Sequence, residues 1–162
     1  MSKARTLRLI GMVVGLSVAA PVMAEEGSPY IGGGISSNSI SGWDSAAGFQ
    51  VFGGYNFGEI FGAENLDFLG EVGYMRTNDL DRSNAWARSR SFSGLWATGG
   101  VAYHLNPQWS FLGRAGLDFG DDDGLMIGGG VAFHVDRNFE LRGELVERDN
   151  ITSFQINGAY SF

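Results

Sequence analysis

The chain has 162 residues, a formal net charge of −7, 26 glycines and no cysteine. Its 18 carboxylates against 11 basic residues leave no basic surface for phosphate backbones, which excludes nucleic acid as a partner. The missing thiols exclude a disulfide scaffold and a thiolate metal site. The glycine, about twice its usual share, follows no repeat of a collagen or low-complexity kind.

The first 24 residues read as a signal peptide. Lys3, Arg5 and Arg8 form a positive start, Leu9 to Ala20 an apolar stretch, and Val22-Met23-Ala24 a cleavage site before Glu25. That stretch is too short for a membrane-spanning helix, which takes roughly 20 apolar residues. Removal of the segment leaves residues 25–162 as one domain, with 8 Arg, no Lys and all 18 carboxylates, a net charge of −10. Nothing after residue 24 is apolar for long enough to cross a bilayer as a helix, so a membrane fold would have to satisfy its backbone between strands.

The remainder alternates with period two between turn signals. After a less regular strand at Pro29 to Ser36, one face reads Phe49, Val51, Gly53, Tyr55, Phe57, then Leu66, Phe68, Gly70, Val72, Tyr74, then Leu95, Ala97, Gly99, Val101, Tyr103. It continues through Trp109 to Leu117, Ile127 to Phe133, Phe139 to Leu145 and Phe154 to Phe162 without a charged, Ser, Thr, Asn or Gln residue. The other face carries Gln50, Glu71, Thr98, His104, Ser110, Arg114, His134, Glu140, Arg142, Glu144, Gln155 and Asn157, together with many Gly and Ala. A solvated face has no need of such small residues, whereas the inside of an eight-stranded barrel has little room. The apolar face also gathers aromatics at strand ends, as two interfacial girdles would. The expected fold is therefore all-β: an eight-stranded antiparallel transmembrane barrel of up-and-down topology, apolar outside. A soluble periplasmic ligand-binding barrel is the alternative, with the faces exchanged.

Connections of unequal length accompany the pattern. Asn106-Pro107-Gln108 and Asp136-Arg137-Asn138 are tight turns, while Ser36 to Ala46, Thr77 to Ser91 and Gly120 to Gly124 are polar loops. Short turns on one side and long loops on the other fit an outer-membrane barrel with both termini in the periplasm. Gly58 to Asn65 is longer than that scheme requires.

On these features the chain resembles the small outer-membrane barrels that include OmpA-type transmembrane domains, OmpX-like proteins and opacity-type surface antigens. The more specific pieces are Gly70-Glu71-Val72-Gly73-Tyr74, Glu140-Leu141-Arg142-Gly143-Glu144 and the terminal Gly158-Ala159-Tyr160-Ser161-Phe162. The resemblance implies residence in the outer membrane of a Gram-negative bacterium, among outer-membrane lipids and lipopolysaccharide. It also implies that Tyr160 and Phe162 serve as a signal to the outer-membrane assembly machinery. The family's usual Gly five residues from the end is Asn157 here.

For the interior, Glu71, Arg114 and Glu144 are expected at similar depth, with Glu140 and Arg142 nearby. They form an ion-pair network that fills the lumen, because a buried charge must be paired. His104 and His134 are expected on the inward face near the periplasmic ends of their strands, as polar lumen residues. No metal, no cofactor and no catalytic set is expected. The enzymes on barrels of this size are lipid A deacylases, with His and Ser two residues apart, and palmitoyl-transfer barrels, with His and Ser near the outer surface. Here Asp136 stands two residues after His134, and no His-x-Ser occurs. Function is then expected in the loops. Arg82, Trp86, Arg88 and Arg90, with Arg76 beside them, suit anionic sugars, lipid phosphates or a host protein. Asp121-Asp122-Asp123 is a candidate cation contact. The reading is a non-enzymatic surface barrel supporting envelope integrity or adhesion, with a lipid A-modifying enzyme as the alternative.

Overall fold

The computed structural model describes residues 27–39, 45–77, 92–120, 123–149 and 151–162. Eight strands follow one another: β1 (Ser28–Ser39), β2 (Ala46–Glu59), β3 (Leu66–Thr77), β4 (Ser93–His104), β5 (Trp109–Asp118), β6 (Gly124–His134), β7 (Phe139–Arg148) and β8 (Ile151–Ser161). Each pairs antiparallel with the next, and β1 closes the barrel against β8 from Tyr30↔Ser161 to Ser39↔Thr152. Closure leaves the ladder without an edge, the condition for strands to lie in hydrocarbon. The end carrying Ser28 and Phe162 is called the near end below, and the opposite one the far end.

The faces are disposed as in a membrane. Ile31, Ile35, Val51, Val72, Leu95, Phe111, Ile127, Leu145 and Ile156 point outward and are exposed, while Gln50, Glu71, Arg114, Glu144, Gln155 and Asn157 are buried inside. A polar core under an apolar coat is the reverse of a soluble fold, so the soluble periplasmic alternative falls here.

The small inward residues have a specific use. Three large rings, Tyr30, Phe52 and Trp96, point into the lumen, and each is paired across the ladder with a glycine: Tyr30 with Gly54, Phe52 with Gly32, Trp96 with Gly73. A Cβ on Gly54 would sit 2.3 Å from the Tyr30 ring, and one on Gly73 would sit 2.5 Å from the Trp96 ring. Each ring takes the space that a side chain on the facing residue would need. Met75 and Met126 are buried with them, so the middle of the lumen is partly apolar.

At the near end, both tight turns use the same device. The Asn106 side-chain oxygen accepts from the backbone N–H groups of Gln108 and Trp109, both at 2.9 Å, and Asp136 does so for Asn138 and Phe139, both at 2.8 Å. The long stretch after Gly58 also has a physical account. β2 runs on to Glu59 after a register shift between Asn56 and Glu59, with the backbone at Gly58 turned to a φ of 79°. A compact turn follows, with Phe61 and Gly62 at φ of 55° and 69°. Left-handed backbone is costly for a bulky residue such as Phe61, and its ring is 99% exposed.

Two sequence expectations change. The first strand runs from Ser28 to Ser39, past both expected limits. The loops at the far end are not uniformly long, because only residues 149 and 150 join β7 to β8.

Candidate functional site

The closed ladder fixes the depth of every inward side chain, and the antiparallel register brings five charged residues together below the rings. Arg114 of β5 donates from Nη1 to Glu71 Oε2 at 3.1 Å and from Nη2 to Glu144 Oε2 at 3.0 Å. The same Nη2 reaches Gln155 Oε1 at 2.9 Å, and the guanidinium carbon lies 5.2 Å from the Trp96 ring centre. Arg142 of β7 pairs with Glu71 Oε1 on one side and with Glu140 Oε1, at 2.6 Å, on the other. Glu71, Arg114, Arg142 and Glu144 are all buried. Such burial is tolerable because each carboxylate faces at least one guanidinium and each guanidinium faces two carboxylates.

Sequence reasoning missed the partners that complete this network. Tyr30 donates its hydroxyl to Glu71 Oε1 at 2.7 Å, and Asn157 Nδ2 donates to Glu144 Oε2 at 3.0 Å. Gln50 Nε2 reaches across to Gln155 and Asn157 at 2.8 and 2.7 Å. Nearer the far end, a second buried pair joins Arg148 Nε to Asp118 Oδ2 at 3.0 Å. Period two marks Gln50, Asp118, Arg148, Gln155 and Asn157 as inward, though not Tyr30 in the less regular first strand; only the stagger of strands around the barrel reveals which ones meet.

A cavity of about 190 Å³ opens at the near end, lined among others by Tyr30, His104, Ser110, His134, Glu140 and Arg142. Here Ser110 Oγ lies 2.7 Å from His104 Nδ1 and 2.8 Å from His134 Nε2. The outer ring nitrogens face carboxylates: His104 Nε2 is 3.1 Å from Asp67 Oδ2, and His134 Nδ1 is 3.2 Å from Glu140 Oε2. The two histidines are thus more than isolated polar lumen residues. They are joined through one hydroxyl, with ring centres 5.9 Å apart. Among the described residues, no group of three or more His, Cys, Asp or Glu side chains is arranged to hold a metal ion.

The expected loop contacts Arg82, Trp86, Arg88 and Arg90, and the aspartates Asp121 and Asp122, lie outside the described residues. Tyr160 and Phe162 are exposed on the outer face at the near end, their rings edge-on with centres 5.5 Å apart.

The family model for the outer membrane protein beta-barrel domain matches residues 9–162. The chain belongs to that family. It is a transmembrane β-barrel of the Gram-negative outer membrane. Among solved structures, a de novo designed transmembrane β-barrel superposes with a TM-score of 0.59 at 20% identity, covering 86% of this chain and 98% of that one. Ail, the attachment invasion locus protein of Yersinia pestis, gives a TM-score of 0.55 at 19% identity, covering 86% of this chain and 100% of its own. Ail in complex with the heparin analogue sucrose octasulfate gives a TM-score of 0.56 at 18% identity, with the same coverage. At such identities the likeness is one of fold. No curated protein matches the chain.

Proposed function

We propose that this barrel is a non-enzymatic surface protein that supports envelope integrity or adhesion through the connections at its far end. The observation that carries the reading is the filled lumen. Across the middle of the barrel, Arg114 and Arg142 tie together Glu71, Glu140 and Glu144, and Tyr30, Phe52 and Trp96 occupy the level around them. A solute has no route through such an interior, which argues against a general diffusion pore. The outer wall faces lipid, so contact with partners falls to the connections.

In this reading the near end faces the periplasm and the far end faces outward. The partners are lipopolysaccharide and outer-membrane lipids around the wall, and a host or surface ligand at the loops. Of the far-end segments, Thr77 to Ser91 is the best equipped, with Arg82, Arg88 and Arg90 flanking Trp86 in the sequence. Guanidinium groups beside an indole suit sulfated or phosphorylated sugars. That chemistry is in keeping with the sucrose octasulfate held by Ail in one of the structures of similar fold. Tyr160 and Phe162 serve assembly, as the outward C-terminal aromatics presented to the machinery that inserts the barrel.

The test is a chain with residues 79–90 replaced by a short Gly-Ser link. Binding to heparin and to lipopolysaccharide is measured beside the intact protein, and lipid A from expressing cells is analysed by mass spectrometry. The proposal expects a folded barrel with at least a tenfold loss of binding and unchanged lipid A. Undiminished binding would refute the loop assignment. An altered acyl pattern abolished by His134→Ala would establish the lipid A-modifying alternative instead.

A further inference from the structure

The turn between β2 and β3 carries a side chain that its own fold does not account for. Ala63 N–H donates to Ile60 O at 3.1 Å, and Ile60 and Leu66 N–H groups donate to Leu66 O and Ala63 O at the same distance. The segment is thus held by its own backbone. Between Ile60 and Ala63, Phe61 and Gly62 both have positive φ, at 55° and 69°. Such a pair of positions favours Asn, Asp or Gly, which tolerate left-handed backbone, and a bulky ring there is an outlier. Packing does not explain the ring either, because Phe61 is left 99% exposed among the described residues. A residue that opposes the local backbone and is covered by nothing in the fold marks a contact outside the chain.

The other near-end connections show what kind of contact this is. Leu105 stands two residues after Tyr103 in the turn from β4 to β5, Val135 two after Phe133 in the turn from β6 to β7, and Phe162 two after Tyr160 at the chain end. All three are exposed, and period two carries the outward face of each strand into them. Every near-end connection therefore has an apolar residue beyond the girdle. A protein seated on one hairpin would leave that set unexplained, whereas a bilayer meets every side of the barrel at once. The β2–β3 hairpin is continuous with the lipid-facing wall. On its outer face the Phe57 ring lies between those of Tyr55 and Phe68, with centres 4.9 and 5.6 Å away. The register shift between Asn56 and Glu59 bends the strand just before the turn.

We propose that Phe61 is a membrane anchor: the β2–β3 turn lies against the phospholipid leaflet at the near end, with the ring inserted where headgroups meet acyl chains. Glu59 and Glu64 flank the ring and are exposed. Carboxylates stay in water or among headgroups, since burying an unpaired ion is costly. They hold the turn at the interface and keep it out of the hydrocarbon, the depth at which interfacial segments bury an apolar face. Leu105, Val135 and Phe162 complete the collar. Residues 60–65 form a longer connection than 105–108 or 135–138, so Phe61 has the greatest reach of the set.

The chain has no cysteine, so Phe61→Cys, Leu105→Cys and Glu64→Cys each accept a single nitroxide label. With the folded protein in phosphatidylcholine vesicles, power-saturation EPR compares collisions with oxygen, which concentrates in the bilayer, and with a water-soluble nickel chelate. The label at 61 should be shielded from nickel like the one at 105 and unlike the one at 64. Equal nickel access at 61 and 64 would place the ring in water and overturn the proposal. Dipolar broadening between labels would set the ring against a second copy of the chain and overturn it as well. A second measurement tests the ring itself by urea unfolding in the same vesicles. Phe61→Ser should lower the ratio of folded to unfolded protein roughly fivefold, as losing the half-burial of a Phe side chain would, and Phe61→Trp should preserve it. A Ser variant as stable as the intact protein would refute the anchor.

Discussion

Replacing Arg114 by Leu tests the interior most directly. The change removes a guanidinium from between Glu71 Oε2 at 3.1 Å and Glu144 Oε2 at 3.0 Å, and it takes a donor from Gln155. The two carboxylates suffer unequally. Glu71 keeps Arg142 and the Tyr30 hydroxyl, whereas Glu144 keeps only the Asn157 amide among its contacts described above. Breaking a buried pair costs about 3–5 kcal/mol, because the surviving ion remains buried. Most of that loss should therefore sit at Glu144, and adding Glu144→Gln to Arg114→Leu should restore more than half of it. Arg137, in the exposed turn after β6, serves as control, and Leu there should cost less than about 0.5 kcal/mol. Urea unfolding in lipid vesicles followed by tryptophan fluorescence measures all three, since Trp96 lies against Arg114. Equal losses for Arg114→Leu and Arg137→Leu would refute the buried network. Failure of the double change to recover stability would refute the assignment of the strain to Glu144.

The glycine and ring pairing predicts a sharp contrast between neighbours: Gly54→Ala, against the Tyr30 ring, should cost about 1–3 kcal/mol. Gly53→Ala, whose Cβ would meet nothing closer than 3.8 Å, should be nearly neutral in the same unfolding assay. Val72 is 63% exposed on the outer wall, and Val72→Arg should destabilise the vesicle-inserted barrel by about 2–4 kcal/mol if that position lies near the bilayer centre. The intact protein should also migrate differently on SDS gels before and after boiling, because a closed ladder gives detergent no edge to enter. Identical migration would count against closure.

The wall of this barrel was legible in the sequence, since Phe49, Val51 and Tyr55 or Leu95, Val101 and Tyr103 carry their orientation in their spacing. The aggregation of Glu71, Arg114 and Glu144 followed from depth counting along β3, β5 and β7. At the mouth, the inward placement of His104 and His134 could be read but their connection could not. Ser110 and His134 are 24 positions apart, a spacing without meaning until the register sets His104 opposite Ser110 and His134 opposite Glu140. Tyr30 was equally hidden, because β1 is glycine-rich and its alternation is weak. The stretch after Gly58 looked like an oversized turn since a register shift breaks period two, so the final residues of β2 no longer announce themselves as strand.

The join of β1 to β8 differs from the other seven in what it asks of the folding chain. Each other pair is a neighbour in sequence and can zip from its own connection, whereas Tyr30 must find Ser161 and Ser39 must find Thr152 across nearly the whole domain. Closing a loop of that length costs about 2 kcal/mol more in chain entropy than closing a hairpin. The last pairing is therefore the slow one, and before it two open strand edges exist together. The residues at that seam are small: Gly32, Gly33 and Gly34 meet Ala159, Gly158 and Asn157. A Cβ on Gly34 would lie 2.1 Å from the Ile156 carbonyl oxygen, so bulk introduced there would act on the rate of closure before it acted on any contact of the finished barrel.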